Sequence, residues 1–200
     1  MKIYPVYPAG FASNSYIVTS DGKTCIIIDC AQPRVLEECR RLNLTPVAVL
    51  LTHGHYDHIG GCGALQAAGA KIYCGDGEEN YIFSPENRAI FNLPIPEFKI
   101  EKTFKDGEEV ELCGLNVKVI ATPGHTEGGV CYLIGDSLFT GDTLFNSSVG
   151  RCDLPGGNET KLVSSLKKLY GLDGDYRVYT GHGETTMLSY ERKYNPFVRA

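Results

Sequence analysis

Residues Thr52–Gly61 read T-H-G-H-Y-D-H-I-G-G and directly follow the apolar run Val47–Leu51. Such a run reads as a strand buried on both faces. Ile59 to Ala68 then has the small-residue and apolar spacing of a short helix packed on a sheet. Four potential metal ligands, His53, His55, Asp57 and His58, therefore fall on one turn at the end of a central strand. In an open α/β sheet, ligands collect at such strand ends. Alternate residues of H-x-H project to one side, while the D-H pair opens the helix and can point back. One short loop can thus serve two adjacent metal ions.

The remaining histidines repeat that context. Three of the chain's five histidines lie within six residues, and the other two are His125, in A-T-P-G-H-T-E-G-G, and His182, in Y-T-G-H-G-E-T. Each follows a β-rich apolar run (117–120 and 178–179) and stands beside glycine. A lone histidine is more often a polar loop residue or a hydrogen-bonded core residue than a ligand. Five in the same strand-end setting point instead to a metal centre. Gly141-Asp142-Thr143 adds a carboxylate at another strand end.

The rest of the chain is compatible with one soluble α/β domain spanning residues 1–200. Nineteen basic residues stand against 24 acidic ones, and no basic run occurs. That composition disfavours nucleic acid as a partner, because phosphate contacts need a stripe of lysine and arginine. The opening M-K-I-Y-P-V-Y-P has no apolar core of a signal peptide, and no apolar stretch approaches the ~20 residues that span a bilayer. A cytoplasmic location without membrane association is the expectation. The eight cysteines form no C-x-x-C, and several sit inside strand-like runs, so they read as reduced thiols.

Three strands are expected over 3–7, 14–19 and 24–29, with the last, T-C-I-I-I-D, delivering Asp29. An amphipathic helix is expected over 33–42, a short strand over 71–74, and strands over 109–112, 117–120, 130–134, 137–140 and 177–179. Residues 159–170 carry Leu162, Val163, Leu166, Leu169 and Tyr170 on one face of a helix. Residues 81–98 hold three prolines and many apolar side chains without a clear period. They read as a loop or irregular helix, either lining a substrate cleft or packed on itself. Two halves of similar β-then-α layout each contribute ligands.

The succession H-x-H-x-D-H, G-H-T, G-D and a late G-H resembles the metallo-β-lactamase superfamily along nearly the whole chain. The resemblance implies an αβ/βα four-layer sandwich with a two-metal site along its edge. It also implies that His53, His55 and His125 hold one ion and that Asp57, His58 and His182 hold the other. Asp142 would bridge the two, and Asp29 would orient a ligand histidine. Common zinc β-lactamases lack a histidine at the place of His58 and use a cysteine ligand. Flavodiiron proteins carry glutamate for the second histidine. The stretch S-V-G-R-C-D-L-P-G-G-N (148–158) and the tail G-H-G-E-T-T…E-R-K-Y-N-P-F are similar instead to short glyoxalase II-like hydrolases. Cys152 replaces their usual hydroxyl residue, and the extra helical domain with which classical glyoxalase II helps hold glutathione is not expected in a chain that ends at Ala200.

This resemblance implies a binuclear metal-dependent thioesterase, similar to hydroxyacylglutathione hydrolases and acting on a small-molecule thioester. Two divalent ions are expected, zinc first, with iron or manganese equally compatible with the ligands. All five histidines are then committed to metal, so proton donation falls to Asp57, Tyr56 or metal-bound water. Arg151 is the expected anchor for a substrate anion. The alternative is a mononuclear iron oxygenase similar to persulfide dioxygenases.

Overall fold

The computed structural model of the chain describes residues 1–10, 12–91 and 96–199. Its first half runs β1 (Lys2–Val6), β2 (Ser15–Thr19), β3 (Thr24–Ile28), α1 (Arg34–Arg41) and β4 (Thr45–Leu50). The ligand loop follows, then α2 (Tyr56–Ile59), α3 (Cys62–Ala67), β5 (Lys71–Gly75), α4 (Glu78–Ile82), α5 (Pro85–Phe91) and β6 (Ile100–Phe104). The six strands pair in chain order, antiparallel from β1 to β3 and parallel from β3 to β6. The second half supplies β7 (Glu109–Leu112), β8 (Leu115–Ala121), β9 (Val130–Ile134), β10 (Ser137–Gly141) and the short ribbon β11 (Leu144–Phe145) with β12 (Ser148–Val149). It ends with α6 (Glu159–Tyr170), β13 (Arg177–Thr180), β14 (Thr186–Met187) and α7 (Leu188–Tyr194). Its sheet has the order β14-β13-β10-β9-β8-β7, with β10 and β13 parallel.

Strand alternation explains why the sheets stack. In β3, Cys25 and Ile27 face one side and Ile26 and Ile28 the other, as a period of two requires. Ile26, Ile28, Ala48 and Leu50 meet Val117, Val119, Tyr132 and Phe139 of the second sheet in a central core. Ile27, Val49 and Leu51 pack outward on Val35, Cys39, Ile59 and Leu65. On the far side, Leu138 and Val178 pack against Leu162, Leu166 and Leu169 of α6. Four layers result, α-β-β-α, as expected for the metallo-β-lactamase sandwich. Asn158 caps α6 by accepting the Lys161 N–H at 3.0 Å, satisfying one of the open donors of the first turn.

All eight cysteines are free thiols, and Cys25 and Cys39 approach to 3.9 Å between their sulfurs. Among the described residues, no helix is long and apolar enough to cross a membrane. The single helix expected over 59–68 is two short ones broken at Gly60-Gly61. A Cβ on Gly61 would meet Cys30 Sγ at 2.4 Å, so this turn needs glycine to lie on the β3–α1 connection. Within 81–98, Ile82 and Phe98 enter the core behind the first sheet, while Ile90 lines a cleft. Residues 92–95 of that segment lie outside the described residues.

Candidate metal centre

Every expected ligand follows the end of a strand. His53, His55, Asp57 and His58 follow β4, His125 follows β8, Asp142 follows β10 and His182 follows β13. His55 has extended backbone (φ −64°, ψ 147°) and leads directly into α2, which carries Asp57 and His58 inward. Two sheets therefore bring four loops to one edge. Tyr16 of the first sheet donates to the Thr180 carbonyl at 2.7 Å, and the Asn14 amide donates to Thr180 and Gly183 carbonyls at 3.1 and 3.0 Å. These bonds hold the His182 loop against the first half. Gly181 makes that approach possible, because a Cβ there would lie 2.1 Å from Asp142 Oδ1.

The donor atoms converge in three overlapping groups, each with its atoms within 4.8 Å of one another. One is His53, His55 and His125; a second is His53, His58 and Asp142; the third is Asp57, His58 and His182. Asp142 lies at the centre, 3.2 Å from His58 Nε2, 3.5 Å from His125 Nε2 and 3.4 Å from His182 Nε2. Asp57 Oδ2 stands 3.2 Å from His182 Nε2. All seven residues expected from the sequence are brought together.

Hydrogen bonds on the outer ring nitrogens turn the inner ones toward one another and toward Asp142. His58 Nδ1 donates to Asp29 at 2.8 Å, and His125 Nδ1 donates to the Arg151 carbonyl at 2.7 Å. His53 Nδ1 lies 3.1 Å from Thr52 Oγ1, whose own hydrogen goes to Asp29 at 2.8 Å. That chain makes His53 Nδ1 the donor and its Nε2 a bare lone pair. His55 is turned the other way, with Nε2 at 2.9 Å from the Tyr81 hydroxyl and Nδ1 at 2.9 Å from His125 Nε2. His53 Nε2 is buried without a hydrogen-bond partner, and His58 Nε2 and Asp142 Oδ1 meet only each other, as an ion pair at 3.2 Å without hydrogen-bond geometry. Orphaned buried polar atoms are costly unless something else satisfies them. Imidazole lone pairs and carboxylates in this arrangement fit divalent ions, so the residues present suit a two-metal centre.

Electrostatics separates the histidines into two kinds. Burial, reinforced by neighbouring imidazoles, holds His53 well below its ordinary value and His55 down to about 3, and burial also lowers His125. These three are neutral, the form that ligates metal. Burial opposes a charge on His58 and His182 too, but Asp142, Asp29 and Asp57 outweigh it for His58, and Asp142 and Asp57 raise His182 to about 9. Burial likewise opposes the Asp142 carboxylate, yet His58 and His182 hold it well below the usual range. The protons kept on His58 and His182 are those a cation would displace.

A cleft of about 600 Å³ opens over these donors. Its walls include Ile90, Phe145, Val149 and Leu154, with Arg151 at the rim. The Arg151 guanidinium is exposed and paired bidentately with Asp153 at 2.7 and 2.8 Å. Its backbone carbonyl, not its side chain, touches a ligand histidine. Residues overlooked in the sequence stand behind the donors. Glu78 accepts from the Gly54 N–H, Tyr81 meets His55, and Asn87 donates to the Gly54 carbonyl. A glutamate in D-G-E-E-N gives no sign that it is buried, and a tyrosine or asparagine in a short helix gives no sign of what it faces.

Comparison with known proteins agrees with this geometry. The sequence model of the metallo-β-lactamase superfamily matches residues 8–182. Hydroxyacylglutathione hydrolase GloC of Haemophilus influenzae is 34% identical, the alignment covering 100% of this chain and 98% of that protein. The crystal structure of BLEG-1 B3 metallo-β-lactamase superposes with a TM-score of 0.91 at 30% identity, over 98% of this chain and 99% of that one. TTHA1623 in a di-iron-bound form gives a TM-score of 0.85 at 32% identity, over 97% and 99%. With the sandwich, the strand-end donors and this coverage in agreement, the chain is a member of the metallo-β-lactamase superfamily, whose metal-dependent hydrolytic chemistry its site is built to support.

Proposed function

We propose that the protein is a binuclear metal-dependent thioesterase acting on small acyl thioesters. The observation that carries this reading is the convergence of seven donors into three overlapping groups around Asp142, an arrangement that two ions sharing this carboxylate would satisfy. His53, His55 and His125 hold the first ion, and Asp57, His58 and His182 hold the second. Zinc is the favoured metal, and the same nitrogen and oxygen donors accept iron or manganese. When bound, a pair of such ions polarises a carbonyl and supplies hydroxide near neutral pH.

The chain's own residues then decide the leaving group. Every imidazole is a ligand, which leaves no histidine as a general acid. Asp57 sits at the cleft floor, where it can take or return a proton. Thiols have a pKa of about 8.5 and leave as thiolates without full protonation, unlike amines. Ile90, Phe145, Val149 and Leu154 exclude water around the acyl chain. The relationship to GloC supports the thioester, and the structural likeness to BLEG-1 makes a β-lactam the competing substrate.

Metal analysis and steady-state kinetics test the reading together. Two ions per chain and turnover of a simple acyl thioester are expected, with S-lactoylglutathione turned over at higher KM. Efficient β-lactam turnover without thioester hydrolysis would overturn it. One iron per chain, with oxygen consumed on a persulfide, would favour an oxygenase instead.

Arg151 supplies a separate prediction. A substrate carboxylate must compete with Asp153 for the guanidinium, and exposed pairs of this kind are weak. Arg151→Ala should raise KM for an anionic thioester several-fold while kcat changes little, because an anchor remote from the bond supplies uniform binding. An unchanged KM would remove Arg151 from the substrate site.

A further inference from the structure

Glu78 is a fully buried carboxylate that the hydrolytic reading leaves without a role. Among the described residues it has no lysine or arginine partner within ion-pair distance. It is instead surrounded by donors. Oε1 accepts the Gly54 N–H at 2.7 Å, while Oε2 accepts the Thr126 hydroxyl at 3.0 Å and the Gly128 N–H at 2.9 Å. Gly54 is the residue between His53 and His55, and Thr126 immediately follows His125. One side chain is thus bonded to both loops that carry the three-histidine set.

Those loops belong to different sheets, one following β4 and the other β8, so the spacing of their donors is not set by either sheet alone. The Gly54 peptide is fixed from several directions. Its carbonyl accepts from Asn87 Nδ2 at 2.8 Å, and a Cβ on Gly54 would lie 2.4 Å from Ile82 Cγ1. Gly128 is equally tight, with Glu78 N at 2.4 Å from where its Cβ would be. One turn beyond Glu78, Tyr81 faces His55 Nε2 at 2.9 Å. The segment 78–87 therefore grips the first ligand loop through a carboxylate, a phenol and an amide.

We propose that Glu78 is a positioning residue for the metal centre, fixing the His53–His55 loop against the His125 loop and thereby setting the affinity of the three-histidine set. This rests on the two-metal reading above. The bland alternative is a buried carboxylate that only stabilises the fold, and it predicts no preference between the two metal sets. Burial pushes Glu78 up to about 7, so the carboxylate form, the one that all three donors suit, dominates above that pH. A carboxamide of the same shape must turn its NH2 toward either Gly54 N–H or Gly128 N–H, releasing one loop without opening a cavity.

The experiment compares wild type, Glu78→Gln and Thr126→Val, each stripped by chelation and then titrated with cadmium. Cadmium NMR separates the set with three imidazoles from the set with two imidazoles and a second carboxylate, Asp57. Urea unfolding of the metal-free proteins records the purely structural effect. For Glu78→Gln, affinity at the three-histidine set should fall about 10- to 100-fold, the range for lost outer-shell partners, with a much smaller change at the Asp57–His58–His182 set. Thr126→Val, which removes one of three donors, should move the same set in the same direction by less. Equal losses at both sets, or lowered urea stability with both affinities intact, would overturn the proposal. If Glu78→Gln does not fold, Thr126→Val decides alone, and unchanged affinities there would overturn it. A wild-type protein holding fewer than two ions would overturn the two-metal reading and this proposal with it.

Discussion

Asp142→Ala is expected to abolish hydrolysis while leaving the sandwich folded. Asp142 lies just past β10, and its carboxylate faces His58, His125 and His182, not the packed layers. Under the two-metal reading it is the one donor that both sets share, so its loss weakens both ions at once. It also removes the largest of the counter-charges on His58 and His182, while Asp29 stays on His58 and Asp57 on both. Shedding the metals forfeits several kcal/mol of transition-state stabilisation, and about 4 kcal/mol corresponds to roughly a thousandfold in rate. Metal content should fall below one ion per chain and thioester turnover by at least about a thousandfold. Circular dichroism should be unchanged, because no core side chain is touched. Full activity with normal metal content in this variant would remove Asp142 from the centre.

Much of this arrangement is legible in the sequence, and the reason is periodicity. Strands that are apolar runs, such as T-C-I-I-I, or that alternate, and the twelve-residue α6, carry a pattern that registers. Helices of four to seven residues carry less of one, so α2 and α3 read as a single helix and α4 and α5 are not separable from a loop. β6 and α7 carry no such signal either. β6 has the composition of a half-exposed edge, I-E-K-T-F, and α7 follows a two-residue strand with no linker to announce it.

The metal ligands are legible for a different reason. Histidine is scarce here, so its clustering carries information that a common residue cannot. How the donors divide between two ions is not in the spacing and enters only through family resemblance; in space the donors form three overlapping groups. The supporting shell is the least legible part. Glu78 and Glu191 are both fully buried, yet carboxylates are usually solvated, and nothing local distinguishes these two. Glu191 accepts from Ser147 N, Thr186 Oγ1 and Asn195 Nδ2, and so fixes the Phe145–Val149 wall of the cleft from a helix the sequence did not announce.

Asp29 tests how far that shell governs the metal. It adopts the left-handed region at φ 54°, uncommon for a residue with a Cβ but tolerated by aspartate and asparagine. From there Oδ1 accepts the Thr52 N–H at 2.7 Å, and Oδ2 accepts the Thr52 hydroxyl and His58 Nδ1, each at 2.8 Å. Asp29→Ala leaves three buried donors unpaired and places alanine in an unfavourable backbone region. Loss of about 3–5 kcal/mol of stability is expected, the range for breaking a buried charged network. Asp29→Asn separates stability from metal binding. Asparagine suits the backbone and can keep its oxygen on Thr52 N–H, but its NH2 then faces His58 Nδ1. That nitrogen must become an acceptor, which moves the imidazole proton to Nε2 and blocks the lone pair aimed at the metal. Metal affinity at the His58 set should fall about 10- to 100-fold. The metal-free protein should lose only about 1–2 kcal/mol in urea unfolding. Wild-type metal affinity in Asp29→Asn would show that His58 is not held in its ligating tautomer by this carboxylate.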